Sequence, residues 1–253
     1  IPLHCEWDNT FPNHPPDPTR PENMVELGRM VVETGAEFGI GVDGDGDRVG
    51  VVDENGQFIY PDRLLAVFAR DILCNIPTDP SDEDRTIIHD VKCSMALTQT
   101  ITAYGGIPHM MRTGHSFLKQ ALRERPNVRL AGEMSGHFFF NDTWNGFDDS
   151  LYATVRLLEL VSRDDAPFSS LFDGIPTFPS TGEAKVPLTG GREATMEAVR
   201  AAFDDMEFSA VDGVRVTYPD GWFLCRPSNT EPILVMRAEA GSEAALAAIK
   251  SDV

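Results

Sequence analysis

The chain has 253 residues and a formal net charge of −19, from 40 Asp and Glu against 21 Lys and Arg. That field repels nucleic-acid phosphates and anionic membrane surfaces, so neither is an expected partner, and an anionic small molecule binds only where cations cluster locally. Hydrophobic residues make up 42%, enough for a buried core; 21 glycines and 18 prolines without a period exclude collagen-like and low-complexity classes, and no apolar run approaches the roughly 20 residues of a membrane helix.

At roughly 100–200 residues per domain, the length fits one large domain or two to three small ones. Cys5, Cys74, Cys93 and Cys225 are far apart, with no C-x-x-C pair. That argues against a zinc site or a disulfide framework, and for a reducing cytoplasm. The start, Ile1-Pro2-Leu3-His4-Cys5, lacks both the features of a signal peptide and a Met, and reads as the interior of a longer protein.

Residues 1–21 are Pro-rich and are expected to be extended and irregular. Met24, Val25, Leu27, Val31 and Val32 predict an amphipathic helix over 22–33, and two short buried strands follow at 38–42 and 49–52. Pro61 opens a second helix, 77–85 is a polar loop, 86–91 a strand, and 95–104 a helix stopped by Gly105-Gly106. A helix over 115–123, a strand over 128–131 and a helix over 151–162, capped from Asp148-Asp149-Ser150, complete this part. Residues 163–183 are rich in Pro, Ser and Gly and read as a linker. Beyond it come a helix near 193–206, strands at 211–217, 222–224 and 233–237, and a last helix at 242–249. Strands alternating with helices predict an α/β fold up to the linker and a small α+β unit after it.

Three short segments carry the chemistry. In Asp43-Gly44-Asp45-Gly46-Asp47-Arg48, glycines let the backbone curl so that three carboxylates converge, a hard-oxygen set suited to Mg²⁺ or Ca²⁺. Arg48 beside them makes sense if an anionic substrate group meets metal and guanidinium together. Glu54 falls at position 12 of a calcium-binding EF-hand loop counted from Asp43, but position 6 is Arg48 where that loop needs Gly, and the flanks are β-like. A calcium-binding module is therefore the non-enzymatic alternative. Gly132-Glu133-Met134-Ser135-Gly136-His137 presents groups that hydrogen-bond sugar hydroxyls or move a proton near neutral pH. Arg226-Pro227-Ser228-Asn229-Thr230-Glu231-Pro232 offers a cation, two hydroxyls, an amide and loop N–H groups, a phosphate cradle without a Walker pattern. Arg226→Ala is expected to leave stability nearly unchanged, because this loop reads as surface. Lys92 at a strand end and Thr113-Gly114-His115-Ser116 are lesser candidates, each equally readable as plain surface.

Together these segments resemble the α-D-phosphohexomutases, of the bacterial phosphomannomutase/phosphoglucomutase type. The resemblance rests on D-G-D-G-D-R at 43–48, G-E-M-S-G-H at 132–137 and R-x-S-N-T-x-P at 226–232, in family order with Lys92, Thr113-Gly114-His115-Ser116 and the Pro-rich stretch around Phe11-Pro12-Asn13-His14. It implies α/β architecture: mixed-sheet α/β domains (part of a second domain, 1–56, and all of a third, 57–174), then a small α+β C-terminal domain, 175–253. It implies Mg²⁺ at Asp43, Asp45 and Asp47. Arg48 and His137 would be catalytic, and Lys92, Thr113, Gly114, His115, Glu133, Ser135, Arg226, Ser228, Asn229 and Thr230 would bind substrate. The implied reaction interconverts hexose 1-phosphate and 6-phosphate through a phosphoserine and a hexose 1,6-bisphosphate, in a cytoplasmic isomerase. The family's serine motif resembles [ST]-x-S-H-x-P, and no Ser-His dipeptide occurs here, so the chain reads as a fragment without the serine domain, inactive alone. Phosphoglucosamine mutase is the nearest rival within the family; Met134 and Asn229 favour the mannose/glucose subgroup.

Overall fold

The computed structural model of the chain describes residues 1–6, 8–76, 85–228 and 231–253. Helix α1 (Pro21–Thr34) begins on a proline and ends at Gly35, which takes the left-handed conformation. It covers an antiparallel meander of β1 (Phe38–Val42), β2 (Val49–Asp53) and β3 (Phe58–Ile59), burying Met24 and Val31 against Val52. Val42 pairs with Val49, so residues 43–48 are forced into the hairpin loop.

The second unit is built on a four-stranded sheet in the order β5 (Ile107–Met111), β4 (Thr86–Asp90), β6 (Leu130–Gly132), β7 (Phe138–Phe140). Strand β4 is parallel to β5 and β6, and β7 runs antiparallel to β6. Helices α2 (Pro61–Asn75), α3 (Met95–Ala103), α4 (His115–Glu124) and α5 (Ser150–Val161) surround it. Leu64, Leu65 and Phe68 of α2 pack on Ile87, Leu130, Phe138 and Phe140. The parallel strands all end toward one side. Lys92 follows β4, Thr113 to His115 follow β5, and Glu133 to His137 follow β6, where open α/β sheets place ligand groups.

The third unit is an antiparallel sheet in the order β8 (Ala184–Pro187), β12 (Ile233–Ala240), β11 (Gly221–Pro227), β10 (Val214–Tyr218), β9 (Phe208–Ser209). Helices α6 (Arg192–Ala202) and α7 (Glu243–Asp252) bury Met196, Leu246 and Ile249 against it. The architecture is thus α/β with a mixed central sheet, followed by a small α+β unit; the described part of the first unit is antiparallel. No helix among the described residues is long and apolar enough to cross a membrane.

Several elements differ from expectation for identifiable reasons. Residues 163–183 are not a free linker: Phe168–Phe172 forms a 3-10 turn, and Phe168, Phe172 and Ile175 enter the core under α2. Phe38 stacks on Phe168 at 4.7 Å between ring centres, tying the first unit to the second. Strand β5 escaped the sequence pattern because Pro108 interrupts it, which an edge strand tolerates. Strands β3, β7, β8 and β9 are two to four residues long, too short for a period to register. Helix α6 stops at Ala202, and β10 starts at Val214, so Asp212 lies in a turn rather than a strand. The polar loop expected over 77–85 lies outside the described residues except for Arg85.

One buried group is expected to make the fold acid-sensitive. His89 ends inside the core, with Nδ1 2.9 Å from the Asp90 carbonyl and Nε2 without a hydrogen-bond partner among the described residues. Burial drives its pKa down to about 4 from an ordinary 6.5. The unfolded chain therefore takes up the proton first as pH falls. The neutral form holds full stability above 6.5, and stability is lost as pH drops toward 4, by about 3 kcal/mol in all. Denaturant unfolding at pH 7 and near 4.5 is expected to show a smaller acid loss for His89→Phe than for the wild-type chain. Equal acid sensitivity would assign the effect to other groups.

Candidate active site

The aspartate loop is organised by its first residue. Asp43 Oδ1 accepts the backbone N–H groups of Gly46, Asp47 and Arg48, each at 3.1 Å. Its Oδ2 accepts Arg48 Nε at 2.6 Å. The curl passes through Gly46 at φ +77°, which a side chain would strain. Burial would raise the Asp43 pKa, but the bonds from the Arg48 backbone and guanidinium hold it below the usual value. Asp47 is raised: burial dominates, nearby His137 opposes, and Asp43 and Asp45 add repulsion. One oxygen from each of Asp43, Asp45 and Asp47 lies within 4.8 Å of the others. Three converging carboxylates with a raised Asp47 fit a divalent hard cation, whose charge would relieve that repulsion. The flanks are strands β1 and β2, not the helices of an EF-hand. Asp17, from the Pro-rich segment, accepts from Arg48 Nη1 at 3.3 Å and so holds the guanidinium from the other side.

The segment 132–137 is a tight turn between β6 and β7, closed by Glu133 N–H to the His137 carbonyl at 3.0 Å and Gly136 N–H to the Glu133 carbonyl at 3.1 Å. It is pinned to the aspartate hairpin: Val49 N–H donates to the Gly136 carbonyl at 3.1 Å. Gly136 sits at φ +85°, and a Cβ there would meet the Val49 carbonyl oxygen at 3.0 Å. Glu133 is buried; its Oε1 accepts Gly114 N–H at 2.6 Å, and Oε2 lies 3.3 Å from His137 Nδ1. Ser135 Oγ is 3.0 Å from the same nitrogen. His137 Nε2 faces Asp47 Oδ2 at 3.4 Å. Burial pushes the His137 pKa down, but Glu133, Asp47 and Asp148 together raise it above the ordinary imidazole value.

His115 opens α4, with Nδ1 2.8 Å from Asp148 Oδ2, and Lys119 Nζ holds the other oxygen of Asp148 at 2.8 Å. Ser150, the first residue of α5, donates both its N–H and its Oγ to the Gly46 carbonyl at 3.0 and 2.7 Å. Thr113 Oγ1 donates to Asp90 Oδ2 at 3.1 Å, and Thr113 N–H donates to Asp212 Oδ2 at 3.0 Å. Asp212 also accepts Arg226 Nε at 2.8 Å, so one carboxylate links the turn after β5 to the third unit. Lys92 is buried, 3.0 Å from Glu183 Oε1 and 4.0 Å from Asp90 Oδ2. Burial lowers its pKa, but Asp90 and Glu183 more than restore it.

The expectation of a surface Arg226 is overturned. Its side chain is 6% exposed and paired with an equally buried Asp212, and its Nη2 is buried without a hydrogen-bond partner among the described residues. Ser228 N–H bonds the Ile233 carbonyl at 2.8 Å and its Oγ accepts Glu231 N–H at 3.2 Å, while Asn229 and Thr230 lie outside the described residues. The structure thus brings the aspartate loop, the 132–137 turn and the His115 turn into direct contact, with Arg226 joined through Asp212. Sequence reasoning did not assign Asp17, Asp90, Asp148, Asp212 or Glu183 to the site. Two carried a signal: Asp17 lies in Pro16-Asp17-Pro18, part of the stretch that resembles the family, and Asp148 lies in the Asp148-Asp149-Ser150 run, where Asp149 is the helix cap, accepting Tyr152 N–H at 2.9 Å, which leaves Asp148 for the cluster.

Family models described as phosphoglucomutase/phosphomannomutase match residues 1–56 (alpha/beta/alpha domain II), 60–178 (alpha/beta/alpha domain III) and 183–253 (C-terminal domain). The chain belongs to the α-D-phosphohexomutase family. A phosphomannomutase/phosphoglucomutase of Pseudomonas putida is 46% identical over 253 residues, covering 99% of this chain and 53% of that protein. A phosphoglucomutase of Neisseria gonorrhoeae is 44% identical over 254 residues, covering 98% of this chain and 54% of its own length. A crystal structure of a phosphoglucomutase/phosphomannomutase family protein from Burkholderia thailandensis superposes with a TM-score of 0.89 at 46% identity, over 100% of this chain and 53% of that one. The chain spans about half the length of the curated relatives it matches.

Proposed function

We propose that these residues are the cation-, sugar- and phosphate-holding part of a phosphohexomutase acting on mannose or glucose phosphates. The observation that carries this is the interlock of the aspartate loop with the 132–137 turn through Val49 and Gly136, with Arg226 held toward the same turns by Asp212. The relatives at 44–46% identity, a phosphomannomutase/phosphoglucomutase and a phosphoglucomutase, support the substrate class.

In this reading Asp43, Asp45 and Asp47 hold Mg²⁺, which supplies charge neutralisation on a transferring phosphoryl group. Arg48, fixed by Asp43 and Asp17, directs its guanidinium at the same group. His137, with Nδ1 toward Glu133 and Ser135, exposes Nε2 to move a proton on the reacting hydroxyl. The unpartnered Nη2 of Arg226, with Ser228, Asn229 and Thr230, grips the phosphate that does not react. Lys92, Thr113, Gly114 and His115 line the sugar's path, and Glu133 and Ser135 orient its hydroxyls. The phosphoserine that exchanges its phosphoryl group with a hexose 1,6-bisphosphate is assigned to sequence outside these 253 residues, and the units 1–56, 57–174 and 175–253 to three successive domains.

Asp45 is exposed, and its side chain makes no hydrogen bond or ion pair among the described residues. Asp45→Asn is therefore expected to weaken Mg²⁺ binding by about tenfold or more in titration calorimetry, with unfolding unchanged within about 0.5 kcal/mol. Unchanged Mg²⁺ affinity would remove the aspartate loop from the reading.

A further inference from the structure

A second set of converging donors, of different chemistry, lies beside the aspartate loop. We propose that His115, His137, Asp47 and Asp148 form a Zn²⁺ site, sharing Asp47 with the aspartate loop. The donor geometry does not rest on the mutase reading, but Zn²⁺ on His137 Nε2 would block the proton transfer assigned above to that atom.

His115 Nδ1 is 2.8 Å from Asp148 Oδ2 and 3.9 Å from Asp47 Oδ2. His137 Nε2 is 3.4 Å from Asp47 Oδ2 and 4.0 Å from Asp148 Oδ2. All four donors lie within 4.8 Å of one another. A tetrahedral zinc centre with bonds near 2.0–2.1 Å has edges of about 3.3–3.4 Å between ligands. These four separations, from 2.8 to 4.0 Å, lie around that value, so small side-chain shifts bring the donors to bonding distance.

The donors come from four separate places: the β1–β2 loop, the start of α4, the end of the 132–137 turn and the residue before the α5 cap. An ion there clamps the hairpin of the first unit to the second. His137 is oriented for it, because Nδ1 faces Ser135 Oγ at 3.0 Å and Glu133 Oε2 at 3.3 Å, which turns Nε2 toward the other donors. This is the carboxylate-behind-imidazole arrangement that fixes metal-binding histidines. Two imidazoles select Zn²⁺ over Mg²⁺, which keeps to oxygen. The cysteine spacing argues only against thiolate zinc, and no thiol is needed here. Lys119 is the opposing element, since its Nζ lies 3.3 Å from His115 Nδ1 and repels a cation.

Two consequences separate this site from the aspartate loop. Asp47 cannot serve both ions fully, so Zn²⁺ is expected to compete with Mg²⁺. Asp45 belongs to one set only. The test is Zn²⁺ competition against a chromogenic chelator, with Co²⁺ absorption as a reporter of geometry. The background is Cys5→Ser with Cys74→Ser, because both thiols are free and exposed. Expected are the intense visible bands of tetrahedral Co²⁺, retained in Asp45→Asn and lost in His115→Ala, with Zn²⁺ affinity falling about tenfold or more in the latter. Lys119→Met keeps every ligand, removes the repelling charge, and is expected to tighten Zn²⁺ binding. Weak octahedral-type bands, equal Zn²⁺ affinity in His115→Ala, or weaker binding in Lys119→Met would overturn the proposal. Failure of Mg²⁺ binding in Asp45→Asn with Zn²⁺ retained bears on the other site alone.

Discussion

Arg226→Ala is expected to lower folding stability by about 3–5 kcal/mol, because it leaves the buried Asp212 carboxylate without its cation. A surface turn would lose well under about 0.5 kcal/mol. Among the described residues Asp212 would keep the Thr113 N–H alone, and that bond spans two units, so the turn after β5 should loosen with it. Asp212→Asn in the same background removes the stranded charge and is expected to recover part of the loss, a coupling that a double-mutant cycle reads directly. Urea unfolding midpoints for the four proteins of the cycle supply the check. Additive effects would mean that the pair is not an energetic unit. In the mutase reading the same variant also loses grip on a sugar phosphate, so binding should be compared at a temperature where the variant remains folded.

Glu239→Ala is expected to cost about 3 kcal/mol, more than Glu239→Gln by a wide margin. Glu239 is 2% exposed, and its Oε1 accepts Met95 N–H at 2.7 Å and Trp222 Nε1 at 3.3 Å. Burial raises its pKa, with the Met95 N–H and Arg237 pulling the other way. Alanine leaves the Met95 and Trp222 donors without their acceptor and Arg237 without its ion-pair partner at 3.8 Å, and buried unsatisfied groups each carry a penalty of about 1–3 kcal/mol. Glutamine retains one acceptor oxygen. Because Met95 opens α3 in the second unit and Glu239 lies on β12 in the third, the alanine variant should also lose cooperativity between the two. Arg237 Nη1 to the Lys92 carbonyl at 3.0 Å, the buried Val91, Trp222 and Leu224, Thr113 to Asp212 and Lys92 to Glu183 remain as further ties. Calorimetry is expected to show a broadened or split transition; a single sharp transition at an unchanged temperature would contradict the role.

The sequence made the strong local signals legible and the long-range ones illegible. Helices α1, α2 and α5 were readable from period and caps, and hairpin β1–β2 from apolar runs flanking an aspartate-rich loop. The 163–183 segment misled because composition reports turns, whereas Phe168 and Phe172 report burial only once α2 is there to receive them. At the site, the three loops were recognisable as patterns of residue types. Their mutual support was not, because it depends on carboxylates far away in the chain. Asp212 is an unremarkable turn residue until its distance to Arg226 is known, and Asp17 holds Arg48 across 31 positions of sequence. Arg226 was misplaced for the same reason: a loop between strands reads as surface unless its partner is visible.

The central claim is that aspartate loop, 132–137 turn and Arg226 loop serve one bound molecule. Its most direct measurement is a crystal structure of the chain with Mn²⁺, located by anomalous scattering, and glucose 1-phosphate. The predicted result is a Mn²⁺ peak among Asp43, Asp45 and Asp47, sugar hydroxyls at Glu133 and Ser135, and a phosphate within hydrogen-bond reach of Arg226 Nη2. A cation held away from those aspartates, or a sugar phosphate bound where it touches none of the three loops, would contradict it.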